Sequence, residues 1–488
     1  MYRLALQTTS LRMKKAILLL LFMLQVNILV KAQDMWGIAN SNYAGNFAID
    51  INPASMAVSP IKYELNVLSG NMTFYNNYLY LPKGEMSVGK FFKADFFNYN
   101  WQDQYTGKDK NAFMQSSIKG PSFFLRSGQT AFGLHTGLKA MGSVRNIDFE
   151  MAKLFYENST YVPLQKKELT AENNSLSALL YGEIGASFAQ QIEAGPGNRI
   201  AIGATFNYLM GFDGFYAQNN YMHYRFDDES KLQVANLDAE YGYAVPEEGQ
   251  SDYLKIRGKG FSTTLGFQYL HGLNPEAYNV YAQRLKFKKY KYKIGLSLVD
   301  AGSILFAKDT RTVKFDNKSI DWNDFDTTQV ESISQLGELL RSKVFDDSTS
   351  GIVAARYRAK LPTAISFQFD YCVTHFLYLN TSIIQPVTSK STAVRRPAQL
   401  SFTPRLETWR YEISFPLTWY EYDQLRVGIC LRLGQVVIGS DYLTSMLGLS
   451  KFNGFDFYVG IKHSSYAMDK LSKRKKEKVK DTYTGGDI

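Results

Sequence analysis

The chain has 488 residues and a mass of 55.5 kDa; 45% of it is hydrophobic and 15% aromatic (33 Phe, 33 Tyr, 5 Trp), and the mean hydropathy is −0.24. That is too aromatic for a disordered chain and too polar for a bundle of membrane helices, and with two Cys and five His it leaves little for a disulfide scaffold or a histidine metal site. Of the net charge of +10, the first 32 residues hold +5 and Lys470–Lys480 hold +6, so the rest carries −1 and no nucleic-acid-binding body is expected.

At the N-terminus, Met13-Lys14-Lys15 precedes an uncharged run from Ala16 to Val30, with a small residue at Ala32. A basic start, a short apolar core and a small residue before a cleavage point make an export signal. The run falls short of the ~20 residues of a spanning helix. We therefore expect residues 1–32 to be a signal peptide starting at Met13, with an anchoring helix as the other reading. No later apolar run is long enough to span as a helix. An exported chain of this kind is either soluble or crosses a membrane as a closed barrel.

Residues 33–61 follow, and in them Asn52-Pro53 reads either as the cap and first position of a short helix or as a plain turn into the first strand. From residue 62 onward, segments of about ten residues alternate apolar with small or polar side chains. Ile200, Ile202, Ala204, Phe206 and Tyr208 interleave with Ala201, Gly203, Thr205 and Asn207. The spacing predicts fourteen strands: 62–80, 121–126, 130–145, 178–192, 199–211, 258–270, 289–305, 361–373, 376–385, 397–405, 410–420, 425–433, 435–441 and 455–466. Tight turns such as Ser127-Gly128-Gln129 and Ala194–Asn198 alternate with long polar connections at 82–120, 146–177, 212–258 and 306–358. Short turns at one end and long loops at the other mark a membrane barrel more than a soluble sandwich. An even strand count puts both mature termini on the periplasmic side.

If the apolar face meets lipid, the alternate positions line the lumen. Glu183, Gln368, Asp370, Arg426 and Arg432 are then candidate luminal polar residues, able either to meet a solute or to form ion pairs that brace the barrel. Pro404 and Pro416, on neighbouring strands, withhold two ladder donors. They mark either a lateral seam through which an apolar substrate passes or a rim bulge without traffic. Cys372 and Cys430 fall on non-adjacent strands and are expected as free thiols. Val330, Ile333, Leu336, Leu340 and Val344 have helical spacing within the 306–358 loop. Asp321–Asp326 is acidic but lacks the glycine and distal glutamate of a calcium loop, so no metal or cofactor is expected. Catalytic motifs are absent, and no enzyme is expected. The basic stretch Lys470–Lys480 reads as a solvated end or as the contact for a periplasmic or lipoprotein partner.

The stretches SNYAGNFAIDINPASMA (Ser41–Ala57), KLPTAISFQFDY (Lys360–Tyr371) and RVGICLRLGQVVIGSDYL (Arg426–Leu443) resemble a Bacteroidota family of outer-membrane barrels of unknown function. That family is in turn similar to FadL-type fatty-acid channels and PorV-type barrels. The resemblance implies fourteen strands and an N-terminal hatch, with Asn52, Pro53 and Ala54 in a luminal plug. No fatty-acid-binding signature accompanies it. The expectation is an all-β protein: signal peptide 1–32, plug 33–61, a fourteen-stranded antiparallel transmembrane barrel 62–466 with long extracellular loops, and a basic periplasmic tail 467–488. Its expected surroundings are outer-membrane lipid and lipopolysaccharide. Its expected function is a FadL-like conduit or binding site for small apolar molecules; the alternative is a docking platform in an outer-membrane assembly or secretion complex.

Overall fold

Alternation with period two closes into a barrel. The computed structural model describes residues 35–93, 99–157, 159, 161–246, 252, 254–272, 290–325, 328, 332–345, 350–387 and 393–466. The signal peptide and the basic tail expected from the sequence lie outside the described residues. Fourteen antiparallel strands form the wall. They are β1 (Ile61–Asn76), β2 (Lys110–Lys119 continuing as Ser122–Ser127), β3 (Thr130–Ile147), β4 (Leu169–Glu193), β5 (Arg199–Phe226), β6 (Gly258–His271) and β7 (Tyr292–Phe306). The second half comprises β8 (Tyr357–Lys360, then Ala364–Cys372), β9 (Leu377–Pro386), β10 (Gln399–Glu407), β11 (Tyr411–Ser414, then Leu417–Tyr420), β12 (Gln424–Val427, then Ile429–Leu433), β13 (Val436–Ser440) and β14 (Gly454–Tyr466). Closure is by β1 against β14, paired from Ile61↔Tyr466 to Tyr75↔Gly454 with register shifts at Ile61/Tyr63 and Asn66/Leu68.

The two faces of the wall differ as the alternation requires. Outside, Leu134, Phe206, Phe261 and Leu425 are each more than 60% exposed, in a belt of large apolar side chains running round the barrel. Their strand neighbours Thr205, Asn207, Ser262 and Arg426 are buried within. A belt of this extent is far larger than a water-soluble surface carries, and it is the lipid-facing surface of a membrane-spanning barrel.

Several long connections are not loops. β4 and β5 run for 25 and 28 residues, far beyond the ~10 that cross a bilayer. Above the wall the outer half of β5 leaves β6 and pairs instead with the strand Leu232–Ala244, which pairs with Thr310–Trp322. Arg257 holds the fork, 3.0 Å from Asp213 and 3.1 Å from Asp309. The helix Ile333–Phe345 lies on this flap, with Ile333, Leu340 and Val344 against Tyr241, Phe315 and Trp322. From Ile333 to Val344 the expected helical spacing is thus a helix packed on the flap, while Val330 lies outside the described residues. Asp321 and Trp322 of the acidic run close a flap strand.

Candidate functional site

The bore is occupied by the N-terminal segment, in which α1 (Trp36–Ala39), α2 (Asn46–Ile49) and α3 (Ser55–Val58) are single turns. Trp36, Ile38, Phe47, Ile49 and Ile51 are buried. Turns this short do not hold themselves together in water, so their order derives from the wall.

The wall supplies charged and polar groups at many points. Asp441, just past β13, accepts from the backbone N–H of Trp36 at 2.8 Å and of Gly37 at 3.3 Å. Glu407 on β10 takes the Asn42 amide at 2.5 Å, and Glu412 on β11 takes the Ser41 hydroxyl at 2.6 Å. On the closing strands, Lys462 donates to the carbonyls of Tyr43 (2.6 Å) and Ala44 (2.9 Å), while Glu64 accepts from the Asn46 N–H (2.7 Å). Lys119 on β2 bridges the Asn46 carbonyl and the Asp50 carboxylate.

Asn52, Pro53 and Ala54 lie inside the lumen, against β5 and β6. The Asn52 Oδ1 accepts the Ala54 N–H at 3.1 Å, so Asn52 caps the turn from two residues before α3's N-cap. Its amide nitrogen donates to the Phe267 carbonyl and to Gln368 Oε1, both at 3.0 Å. Backbone meets backbone here because Gly203 and Gly266 face each other across β5 and β6 and carry no Cβ. Asn52→Ala removes the cap and both tethers. At ~1–3 kcal/mol for buried partners left unmade, we expect a lower urea midpoint for the folded barrel and protease cleavage within residues 45–60.

The other luminal candidates divide into two groups. Asp370 on β8 forms a two-pronged pair with Arg405 on β10 (2.7 and 2.8 Å), and Arg405 also reaches Glu407 at 2.9 Å. Tyr290 joins Asp370 to Asn42 of the plug. Arg432 reaches Glu412 at 3.0 Å. Arg426 instead sits among three rings, with its guanidinium 3.4 Å from the Tyr420 centroid, 4.8 Å from Tyr442 and 5.1 Å from Tyr75. Glu183 lies elsewhere, 3.0 Å from Lys139 on β3.

Pro404 and Pro416 sit on adjacent strands, Pro416 turned inward and Pro404 half-buried. Backbone bonds from Phe415 N to the Pro404 carbonyl (3.0 Å) and from Gly428 N to the Pro416 carbonyl (2.9 Å) carry the wall past both. Cys372 and Cys430 are not joined by a disulfide.

Between the plug and the wall lies a cavity of about 40 Å³. Phe47, Asp50 and Ile51 of the plug, Gln115 and Ser117 of β2, Lys139 and Met141 of β3, Asp300 of β7 and Arg396 line it. Burial alone raises the Asp50 carboxyl, but Lys119, Lys139 and His135 outweigh it and hold the carboxyl below the usual carboxylate range. Arg396 belongs to the segment 393–398 between β9 and β10, which turns into the bore. Val394 is buried among Met141, Tyr181 and Phe306. Arg395 pairs with Glu421 and Arg396 with Asp300, each at 2.6 Å.

Sequence reasoning missed Glu64, Lys119, Lys139, Asp300, Glu407, Glu412, Asp441 and Lys462. Most of them share the inward parity of the small residues around them, and that parity was the available signal. The inturned segment had none: Arg395-Arg396-Pro397 reads as exposed loop.

Among solved structures the chain is similar to a deletion mutant of the TodX monoaromatic hydrocarbon channel (TM-score 0.42, 7% identity, 90% of this chain and 99% of that one). It is also similar to the Ralstonia pickettii toluene transporter TbuX (0.38, 8%, 87% and 94%) and to a Pseudomonas aeruginosa FadL homologue (0.29, 10%, 89% and 96%). No curated protein matches it. A family model described as "Family of unknown function (DUF5723)" matches residues 53–441, from Pro53 of the plug turn to Asp441 at its far anchor, and the chain belongs to that family.

Proposed function

We propose that this is an outer-membrane conduit, not an enzyme, which admits a small molecule from outside into the lumen and releases it past the N-terminal plug. The observation that carries this reading is the filling of the bore: it is occupied by two segments that are not part of the wall, residues 36–58 and 393–398, with a free space of only about 40 Å³ left between plug and wall, so a solute passes only where such a segment gives way. The lining of that space narrows the expected substrate from apolar to amphipathic, since Phe47, Ile51 and Met141 stand beside Asp50, Lys139, Asp300 and Arg396. The signal-like N-terminus and the apolar belt support an outer-membrane location. The even strand count supports periplasmic termini, with lipopolysaccharide around the outer rim.

A second reading, a docking platform, is favoured by the flap, which has its own packed core around Tyr241, Phe315 and Trp322 and stands clear of the wall. Lys470–Lys480 is then the contact for an acidic periplasmic partner. Native mass spectrometry of the protein extracted from its own membranes separates the two. A monomer with a co-purifying small amphiphile is expected; a stoichiometric protein complex without one overturns the conduit in favour of the platform.

A further inference from the structure

On the loop side the ladder of the wall is interrupted between β12 and β14. Among the described residues, Gln424–Val427 of β12 pairs with β11 alone and residues 454–457 of β14 pair with β1 alone, because β13 ends at Ser440. The turn 441–450 stands where the rungs would be. Gln424 and Asn453 exchange side-chain amide bonds across the gap at 3.0 and 2.9 Å, and the Ser445 hydroxyl donates to the Gly454 carbonyl at 2.6 Å.

Outside this gap a second connection folds down on the wall. Phe74 of β1 and Phe455 of β14 face outward side by side, with ring centroids 6.1 Å apart, and Phe91 of the helix Val88–Lys93 covers Phe455 at 4.9 Å. The two connections are tied together. Leu81 and Phe452 exchange backbone bonds at 2.8 and 2.9 Å, and the Gly84 N–H donates to the Gly448 carbonyl at 3.0 Å. Gly448 holds φ at 69°, and a Cβ there would run into the Met86 carbonyl. Lys90 Nζ donates to the Glu85 carbonyl at 2.7 Å, which draws it onto the turn that carries Lys83. The result is one surface, with exposed Lys83 and Lys90 beside exposed Leu447 (44%), Leu449 (58%) and Val88 (37%), and Glu85 as the carboxylate of the same turn.

We infer that this surface is a binding site for a phosphorylated lipid of the outer leaflet, whose acyl chains lie along Leu447, Leu449 and Val88 and whose phosphate meets Lys83 and Lys90. The inference rests on the outer-membrane placement proposed above and gives that rim a defined ligand; it does not depend on passage of a solute. Two features of the surface select a lipid over a soluble partner. It is continuous with the lipid-facing belt through Phe74 and Phe455, and it sets apolar side chains beside lysines, as a head-group boundary requires. Bound there, the lipid covers the wall where strand pairing is missing, and no segment of the barrel has to move to admit it.

The test is native mass spectrometry of the full chain, stripped of lipid in mild detergent and titrated with lipid A or with the same lipid A freed of its phosphates. The natural chain should bind the dephosphorylated form at least ~10-fold more weakly. Lys83→Gln with Lys90→Gln should abolish that difference. Lys166→Gln with Lys167→Gln, on the connection from β3 to β4, should leave it intact, and Leu447→Ser with Leu449→Ser should weaken both forms. Excess inorganic phosphate should not displace the lipid, since it leaves the acyl contacts unreplaced. All variants are checked for the heat-resistant barrel band on gels. Equal binding of the two lipids by the natural chain, an equal loss in the Lys166/Lys167 pair, or displacement by inorganic phosphate overturns the inference. The position of the protein in cells is measured separately by density-gradient fractionation. Protein in the outer membrane without a preference for the phosphorylated lipid sinks the site alone, whereas protein recovered elsewhere sinks the placement on which it rests.

Discussion

Replacing Gly203 and Gly266 together by valine is expected to unseat the plug and turn a blocked barrel into a conducting one. A Cβ on Gly203 falls 2.5 Å from the Ala54 nitrogen and 2.6 Å from the Pro53 carbonyl carbon. One on Gly266 falls 2.8 Å from Pro53 Cδ and clashes with the Asn52 side-chain oxygen. These are contacts with backbone and with a proline ring, and neither swings aside as a long side chain does. Overpacking costs ~1–3 kcal/mol per site, so two sites together shift the seated-to-unseated ratio by roughly 30-fold to 20,000-fold. The wall itself gains two β-branched residues suited to strands, so the barrel should still form. Planar-bilayer recordings read the result directly: steps of ion current in the double variant and none in the natural chain. Equal currents, with both barrels folded, would show that the Asn52–Ala54 turn does not close the bore.

The second large effect is on stability. Arg405→Ala leaves Asp370 and Glu407 facing each other without their shared guanidinium, in a place where no solvent reaches either. Removing one partner of a buried pair costs ~3–5 kcal/mol; Tyr290 and Lys293, the latter 4.0 Å from Asp370, remain beside the carboxylate. Asp370→Ala should cost a similar amount. The double variant should cost less than the sum by more than ~1 kcal/mol, because residues in one network are not additive. Urea titration in detergent gives all three values. A loss below ~1 kcal/mol for Arg405→Ala would mean that water already reaches the pair, and that the network is not a brace.

How much of this was written in the sequence depends on what each residue answers to. Wall residues answer to lipid on one side and to the bore on the other, and that demand has a period of two. Glu183, Gln368, Asp370, Arg426 and Arg432 could therefore be placed inside from parity alone. The fourteen strands follow for the same reason. The flap strands were hidden because neither of their faces meets lipid: Leu232–Ala244 (LQVANLDAEYGYA) mixes polar residues into both registers and reads as loop. The grip on the plug was hidden for a different reason. Glu407, Asp441 and Lys462 are paired with backbone groups hundreds of residues away, and no local pattern marks such a partner. Segment 393–398 is the hardest case, since Arg396 is buried and Arg395 half-buried by what surrounds them and not by anything in their own spacing.

The closing strands carry one more implication. Glu64 on β1 and Lys462 on β14 both hold the segment Tyr43–Asn46, and they also face each other at 2.9 Å across the junction that completes the cylinder. Trp36 is likewise fastened to Asp441, 405 positions further along the chain. Residues 36–46 thus find these partners only when Asp441 and β14, some 400 positions later in the chain, are in place. Joining β1 to β14 around an empty bore would leave Lys462 only Glu64, and Glu64 only Lys462 and the Ser464 hydroxyl, while joining them around residues 36–52 supplies the backbone partners of both. Assembly of this cylinder is therefore the wrapping of a wall around its own leading end, with the last rung zipped and the cork set in a single step.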